Sequence, residues 1–392
     1  MRERPSRILP VIVLSQLAGT SLWFAGNAVL PDLQARLGLP DRAIGDMTSA
    51  VQLGFIAGTL VFALLAVSDR YSPRATFLAC ALLGAGCNAS AYIAGGSMPL
   101  LLTGRFATGF FLAGIYPVGM KIASGWYKHD LGKALGFLVG ALVLGTALPH
   151  LIRGVGQSLP WESVMLSVSA IAIAGGFLMY ALVPDGPFLV AGAKFDPRAL
   201  LAIFRSPGFR ASSFGYFGHM WELYAFWAFV PPLLAAYAAG GGQLGFNMSL
   251  IAFAVIAAGA AGCIFGGLMS LRIGSSRVAF AQLTASGLCC ILSPLAYYMA
   301  PALFIAFLLF WGIVVVGDSP QFSALNARYA PSDQVGSALT IANSIGFGIS
   351  IVSIQLLNQA AAAIPAQYLF LLLIPGPIFG LLALRPLLTA KA

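Results

Sequence analysis

Apolar stretches of about 20 residues recur along almost the whole chain, and that is the length an α-helix needs to cross a bilayer's hydrocarbon core. They run near 9 to 30, 47 to 67, 75 to 95, 99 to 120, 133 to 153 and 162 to 183. After a gap they resume near 211 to 236, 248 to 271, 278 to 300, 302 to 325, 335 to 357 and 366 to 388. A spanning segment must satisfy its backbone polar groups within itself, so twelve such stretches predict an all-α integral membrane protein with twelve transmembrane helices. Composition agrees. Of 392 residues, 59% are hydrophobic and 8% charged, against about 25% charged in a soluble domain.

The formal charge of +9 does not predict nucleic-acid binding, which needs basic residues gathered on one soluble face. Here they sit in short loops. All of the 21 basic residues except Arg36, Arg42, Arg105 and Arg153 fall at the termini, at the inner end of a span (Lys121), or in alternate loops. Those loops hold Arg70/Arg74, Lys128/Lys133, Lys194/Arg198/Arg205/Arg210, Arg272/Arg277 and Arg328. Positive loops stay cytoplasmic, so both termini are expected in the cytoplasm, with a bacterial inner membrane as the expected plasma membrane. The opening M-R-E-R-P-S-R-I-L-P-V-I-V-L looks like a signal peptide, yet the apolar run continues to about Leu30 without a small-residue cleavage site. It reads as a retained first span. Cys80, Cys87, Cys263, Cys289 and Cys290 all lie in apolar segments, without disulfide or zinc spacing, and read as small core residues.

The longest loop, residues 184 to 210, is rich in proline, glycine and charge. It marks a cytoplasmic linker between an N-terminal six-helix bundle, 1 to 183, and a C-terminal one, 211 to 392, with a short interfacial helix expected at Pro197 to Phe204. The two halves repeat at an offset of 200 to 204 residues. W-F-A-G-N-A-V-L-P ending at Pro31 aligns with L-Y-A-F-W-A-F-V-P ending at Pro231, and Arg70 aligns with Arg272. G-I-Y-P at 114 to 117 aligns with G-D-S-P at 317 to 320, and G-K-A-L at 132 with G-S-A-L at 336.

With these features the chain resembles the major facilitator superfamily over nearly its full length. The family's loop signature, G-x-x-x-D-R-x-G-R-K/R between spans 2 and 3, is matched at Asp69, Arg70 and Arg74, with Leu65 and Ser72 in place of glycines. The second copy keeps Gly267, Arg272 and Gly274 but has Leu271 in place of the acid. The resemblance implies a cytoplasmic gate formed by Asp69, Arg70, Arg74 and Arg272; ordinary positive-inside charge explains the arginines equally well. Arg105 and Gly109 match the family's R-x-x-x-G of span 4, which implies a part in proton or substrate coupling or a structural role. Gly136, Gly140, Gly145 and Pro149 only approximate the antiporter ladder of span 5, so they do not assign export. The resemblance also implies a central cavity lined by Trp23, Asn27, Tyr116, Trp221, Tyr224 and Asn343, with Gln321 beside Asp318 as a further substrate-binding candidate. Aromatic rings and amides of this kind suit a small organic solute, and packing or lipid contact is the competing role for each ring.

Glu222 and Asp318 are the two acids well inside the spans. His219 shares a helical face with Glu222, and Gln321 with Asp318. Desolvation penalises the charged form of a buried carboxyl without a fixed partner, which suits it to taking up and releasing a proton. Glu222, His219, Asp318 and Arg105 are therefore the proton-coupling candidates, against the alternative of a structural pair between Glu222 and His219 or Arg105. No third ligand accompanies His219 and Glu222, so no metal is expected, and no other cofactor. Pro117 and Pro320 stand at matching places in spans 4 and 10 and allow bends there. No nucleotide-binding loop, nucleophile–base pair or metal cluster is present to suggest an ATPase or an enzyme.

The expected function is secondary active transport of a small organic solute by alternating access, proton-coupled, in a monomer embedded in lipid. Alternatives are proton-driven efflux of drugs or metabolites, and a non-transporting membrane sensor or scaffold on the same fold.

Overall fold

The computed structural model describes residues 5–127, 131–156, 159–189, 202–331 and 334–389, the side chains of 131–133 excepted. Among the described residues eleven helices are long and apolar enough to cross a membrane, and one shorter apolar helix precedes them. In chain order they are α1 (Ile8–Thr20), α2 (Ala43–Leu64), α3 (Pro73–Ile93), α4 (Met98–Trp126), α5 (Ala134–Val155) and α6 (Trp161–Leu182). Then follow α7 (Pro207–Ala239), α8 (Met248–Ile273), α9 (Ser275–Tyr297), α10 (Pro301–Tyr329), α11 (Val335–Ala360) and α12 (Ala366–Thr389). This is the twelve-helix architecture expected. Most of the interfacial helix expected at Pro197 to Phe204 lies outside the described residues; Ile203–Arg205 form a 3-10 turn.

The first span departs from expectation. Instead of one helix over 9 to 30, α1 stops at Thr20, and after a bend a short helix, Ala25–Ala28, and a second, Leu30–Leu37, follow. The sequence supplies a local cause. Thr20 Oγ1 donates to the Gln16 carbonyl at 2.8 Å and Ser21 Oγ to the Ala18 carbonyl at 2.6 Å. Hydroxyls that bond back to their own helix in its last turns compete with its continuation.

The chain divides into two compact units, Met1–Phe195 and Asp196–Ala392. In the first, α1 packs on α5 and α6, α2 on α4, and α3 on α4 and α6. In the second, α7 packs on α11 and α12, α8 on α10, and α9 on α10 and α12. Each of these pairs of the first unit recurs in the second with helix numbers raised by six, the three-dimensional form of the sequence repeat.

Small residues set the tightest of these contacts, as expected where lipid provides no hydrophobic drive between helices. A Cβ placed on Gly109 of α4 would lie 1.9 Å from the Val51 carbonyl oxygen of α2. At the equivalent contact a Cβ on Gly312 of α10 would lie 2.0 Å from the Val255 carbonyl oxygen of α8. The glycine of the R-x-x-x-G pattern is thereby explained by backbone approach. Both α4 and α10 are interrupted where the prolines fall, α4 between Leu112 and Tyr116 and α10 at Asp318. Pro320 cannot donate to the carbonyl four residues back, that of Val316. The Cys263 thiol of α8 lies 3.5 Å from that oxygen.

Candidate functional site

The polar centre of the second unit is built by three helices. Glu222 lies near the middle of the 33-residue α7, with His219 one turn before it, and both are fully buried. Asp318, also fully buried, stands at the interruption of α10, where it precedes the helix Ser319–Tyr329. His219 Nδ1 and Asp318 Oδ1 are 2.9 Å apart. The contact has the length of a hydrogen bond without its alignment. The imidazole ring also packs against Tyr216 and Phe322, with centroids 6.0 and 5.8 Å away.

Glu222 looks the other way, towards α9. Its Oε2 accepts from Ser286 Oγ at 2.9 Å and lies 3.6 Å from Cys290 Sγ, and Ser286 Oγ in turn accepts from Trp311 Nε1 of α10 at 3.1 Å. Glu222 Oε1, Asp318 Oδ2 and His219 Nε2 have no hydrogen-bond partner among the described residues. The pairing of each acid with the polar residue one turn away is therefore corrected. His219 belongs to Asp318, and Glu222 to Ser286 and Cys290. The reason is geometric: residues three apart on one helix share a face, but that face meets two neighbouring helices, each of which claims one side chain.

Arg105 of α4 organises the first unit. Its Nη1 donates to the Leu22 carbonyl at 3.1 Å and to Asn88 Oδ1 at 3.1 Å, and its Nη2 to the Leu22 carbonyl at 3.2 Å and to the Trp23 carbonyl. These carbonyls are the ones left without helical partners by the break after α1. A buried guanidinium so placed supplies the donors that the broken backbone lacks. Asn88 is itself held by the Met165 carbonyl and Ser169 Oγ of α6, at 3.2 and 3.0 Å.

The remaining candidates are scattered. Trp23 is fully buried and packs on Phe55, 4.8 Å between centroids. Asn27 Nδ2 donates to Thr48 Oγ1 of α2 at 2.7 Å, which fastens the short helix after the break. Tyr116 and Asn343 are half-buried, and Gln321 is buried one turn after Asp318. Tyr224 is buried between Trp227 and Phe347, at 5.4 and 5.1 Å. Trp221 differs from expectation: its indole donates to the Leu372 carbonyl of α12 at 3.1 Å. It lines an apolar groove with Phe217, Val352 and Phe379, away from Glu222's partners.

At the loop between α2 and α3, Asp69 pairs with Lys121 at the end of α4, and Lys121 also donates to the Ser68 carbonyl at 2.8 Å. Arg74 turns to α6 instead. Its Nε is 3.8 Å from Asp185, and its guanidinium lies 5.4 Å from the Tyr180 ring centroid. Arg70 and Arg272 are exposed. Asp69 and Arg74 of the loop signature thus find partners on α4, on α6 and just beyond α6. Among the described residues no three His, Cys, Asp or Glu side chains converge to hold a metal ion. Sequence alone assigns no site role to Ser286, Trp311, Asn88 and Asp185, and places Cys290 only as a core residue and Lys121 only as an inner-end charge. For Ser286 and Cys290 the signal was their i, i+4 spacing on one face of the ninth span.

Two similarly packed six-helix units, with interruptions in their fourth helices and ionisable side chains buried within their spans, define a polytopic membrane protein of the transporter-like class. The chain belongs to the Major Facilitator Superfamily, whose family model matches residues 12–386. It is 27% identical over 275 residues to the putative transporter AraJ of Escherichia coli K12, covering 67% of this chain and 65% of that protein. It is 26% identical over 275 residues to a chloramphenicol resistance protein of Streptomyces lividans, covering 64% of this chain and 62% of that protein. The chain therefore matches somewhat less than two thirds of either relative's length. Among solved structures it is similar to the proton:xylose symporter XylE bound to 6-bromo-6-deoxy-D-glucose, with TM-score 0.75, 13% identity, 98% of this chain and 97% of that one. It is also similar to the human organic anion transporter MFSD10 (TETRAN), with TM-score 0.68, 16% identity, 97% of this chain and 100% of that one. At such identities the likeness is one of fold.

Proposed function

We propose that this chain is a secondary active transporter that moves a small organic solute across a bacterial inner membrane by alternating access, coupled to protons through Glu222, His219 and Asp318. The observation that carries the reading is the two fully buried carboxyls at the centre of α7 and the break of α10, with Glu222 Oε1 lacking a hydrogen-bond partner among the described residues. Buried ionisable groups of this kind are costly in a membrane and default to function. The repeat supports it, because the first-half counterparts of His219, Glu222 and Asp318 are Gly19, Leu22 and Ile115. The scaffold does not need polarity at these positions. Interrupted fourth helices at Pro117 and Pro320 suit a bundle that bends between two states, with both termini cytoplasmic and the chain acting as a monomer.

Efflux of drugs is the second reading, favoured by the similarity to the chloramphenicol resistance protein. The test is common to both. The purified chain is placed in liposomes with an imposed pH gradient, solutes are first screened by thermal shift, and wild type is compared with Glu222→Gln. Gradient-driven movement is expected in wild type and its loss in the variant, with gradient-independent exchange retained. Full gradient-driven accumulation by Glu222→Gln would remove Glu222 from the coupling mechanism, and absence of any flux from the wild type would favour a sensor or scaffold.

A further inference from the structure

The two oxygens of Glu222 are not equivalent. Oε2 receives the Ser286 hydroxyl and faces the Cys290 thiol, while Oε1 has no hydrogen-bond partner among the described residues. An indole N–H can only donate, so Trp311 Nε1 occupies one lone pair of Ser286 Oγ and leaves the serine proton for another acceptor. The chain of bonds therefore has one direction, from Trp311 on α10 through Ser286 on α9 to Glu222 Oε2 on α7. All three residues are fully buried, so bulk water does not compete for these bonds.

Resting on the reading of Glu222 as a proton carrier, we propose that Ser286 and Trp311 are positioning residues that keep Oε2 as an acceptor and place the carried proton on Oε1. Protonation there leaves both donor contacts to Oε2 in place and neutralises the oxygen whose charge no donor offsets. The converse arrangement, a proton on Oε2 donated to Ser286, obliges the hydroxyl to turn to a carbonyl of its own helix and strands Oε1 as an unbonded carbonyl. The titratable side chains near Glu222 are Cys289 and Cys290 on α9 and Asp318 on α10, the last with His219 of α7 and Cys263 of α8 beside it. α11 carries none, and those of α12 are Tyr368 and Arg385, near its ends.

The two arrangements differ in which oxygen forms the C=O of the protonated acid, and a hydrogen bond lowers that stretching frequency. Acid-minus-alkaline difference infrared spectra of the full chain in lipid bilayers read it, with the Glu222 band identified by its loss in Glu222→Gln. Ser286→Ala is expected to move the band to higher wavenumber, and Trp311→Phe, which keeps a ring and loses the N–H, to move it less. Adding Trp311→Phe to Ser286→Ala is expected to move it no further, and Ser286→Thr, with its hydroxyl retained, to leave it in place. A wild-type band that Ser286→Ala does not move overturns the positioning proposal and leaves the proton carrier standing. If no band is lost in Glu222→Gln, the proton-carrier reading fails, and the positioning proposal fails with it.

Discussion

The contact between His219 and Asp318 occupies a place that the first unit fills without polarity, and this allows a quantitative test. The repeat partners are Gly19 and Ile115, and a Cβ on Gly19 would lie 2.6 Å from Ile115 Cγ2, so the glycine makes room for the isoleucine. In the second unit the same two positions hold side chains 2.9 Å apart with no exposure to solvent. His219→Gly alone leaves Asp318 buried without its partner, and Asp318→Ile alone leaves His219 so, with a branched side chain pressed against the ring. Breaking a buried pair from one side costs about 3–5 kcal/mol. Replacing both members rebuilds the apolar contact of the first unit. Such replacements run from neutral to about 1–4 kcal/mol stabilising, against about 1 kcal/mol for a glycine inside a helix. The double variant is therefore expected to be more stable than either single variant by about 2 kcal/mol or more. Denaturant unfolding in mixed micelles measures all four corners of the cycle, and the liposome assay then asks whether the stable double variant still follows a pH gradient. Losses that add within about 0.5 kcal/mol would show that the pair does not act as a unit, and the reasoning from the repeat would fail.

Two further perturbations test the scaffold. Gly109→Ala or Gly312→Ala puts a methyl group within 2.0 Å of a neighbouring carbonyl oxygen. Either is expected to lower stability by about 1–3 kcal/mol or more, read as a lower thermal midpoint, while a neutral result would refute the close approach of α2 to α4 or of α8 to α10. Arg105→Lys keeps the buried charge but replaces two nitrogens that together reach three acceptors with one. The loss of at least one charge-assisted bond predicts destabilisation of about 1.5–3 kcal/mol in the same unfolding assay, and an unchanged midpoint would mean that Arg105 does not support the break after α1.

Much of the architecture was legible because membrane spans announce themselves by length and composition, and because the repeat G-I-Y-P/G-D-S-P located the two interrupted helices. The break after Thr20 was not. Two hydroxyl residues, Thr20 and Ser21, do not by themselves mark a break, and the guanidinium that meets the freed carbonyls comes from Arg105, more than 80 positions away. Glu222, His219 and Asp318 could be singled out as polar residues in apolar runs, but not who pairs with whom. Helical spacing fixes a shared face, whereas pairing depends on which neighbouring helix packs against each edge of that face. The gate residues show the same limit: Asp69 and Arg74 stand five apart in sequence, yet their partners are Lys121, within α4, and Asp185, just beyond α6.

The two best-defined buried polar clusters differ in what they do, although the first unit also holds Gln16 and His150 nitrogens and oxygens without a partner among the described residues. In the first, Arg105 and Asn88 serve the backbone and one another: their bonds close the carbonyls at a helix break and tie α3 to α6. Removing them would leave acceptors unmet, so their presence is explained by structure. In the Glu222, His219 and Asp318 cluster of the second unit, Glu222 Oε1, Asp318 Oδ2 and His219 Nε2 go without hydrogen-bond partners among the described residues, partners that an apolar set would never have needed. A partly satisfied polar network is less stable than apolar packing in the same space. The first unit shows, through Gly19, Leu22 and Ile115, that this fold accepts apolar residues there. Local rules broken without a structural gain are expected at functional sites. The same contrast separates Arg105 from the other proton-coupling candidates. Its carbonyl partners give it a structural task, whereas the repeat counterpart of Glu222, Leu22, shows that the scaffold accepts an apolar residue there.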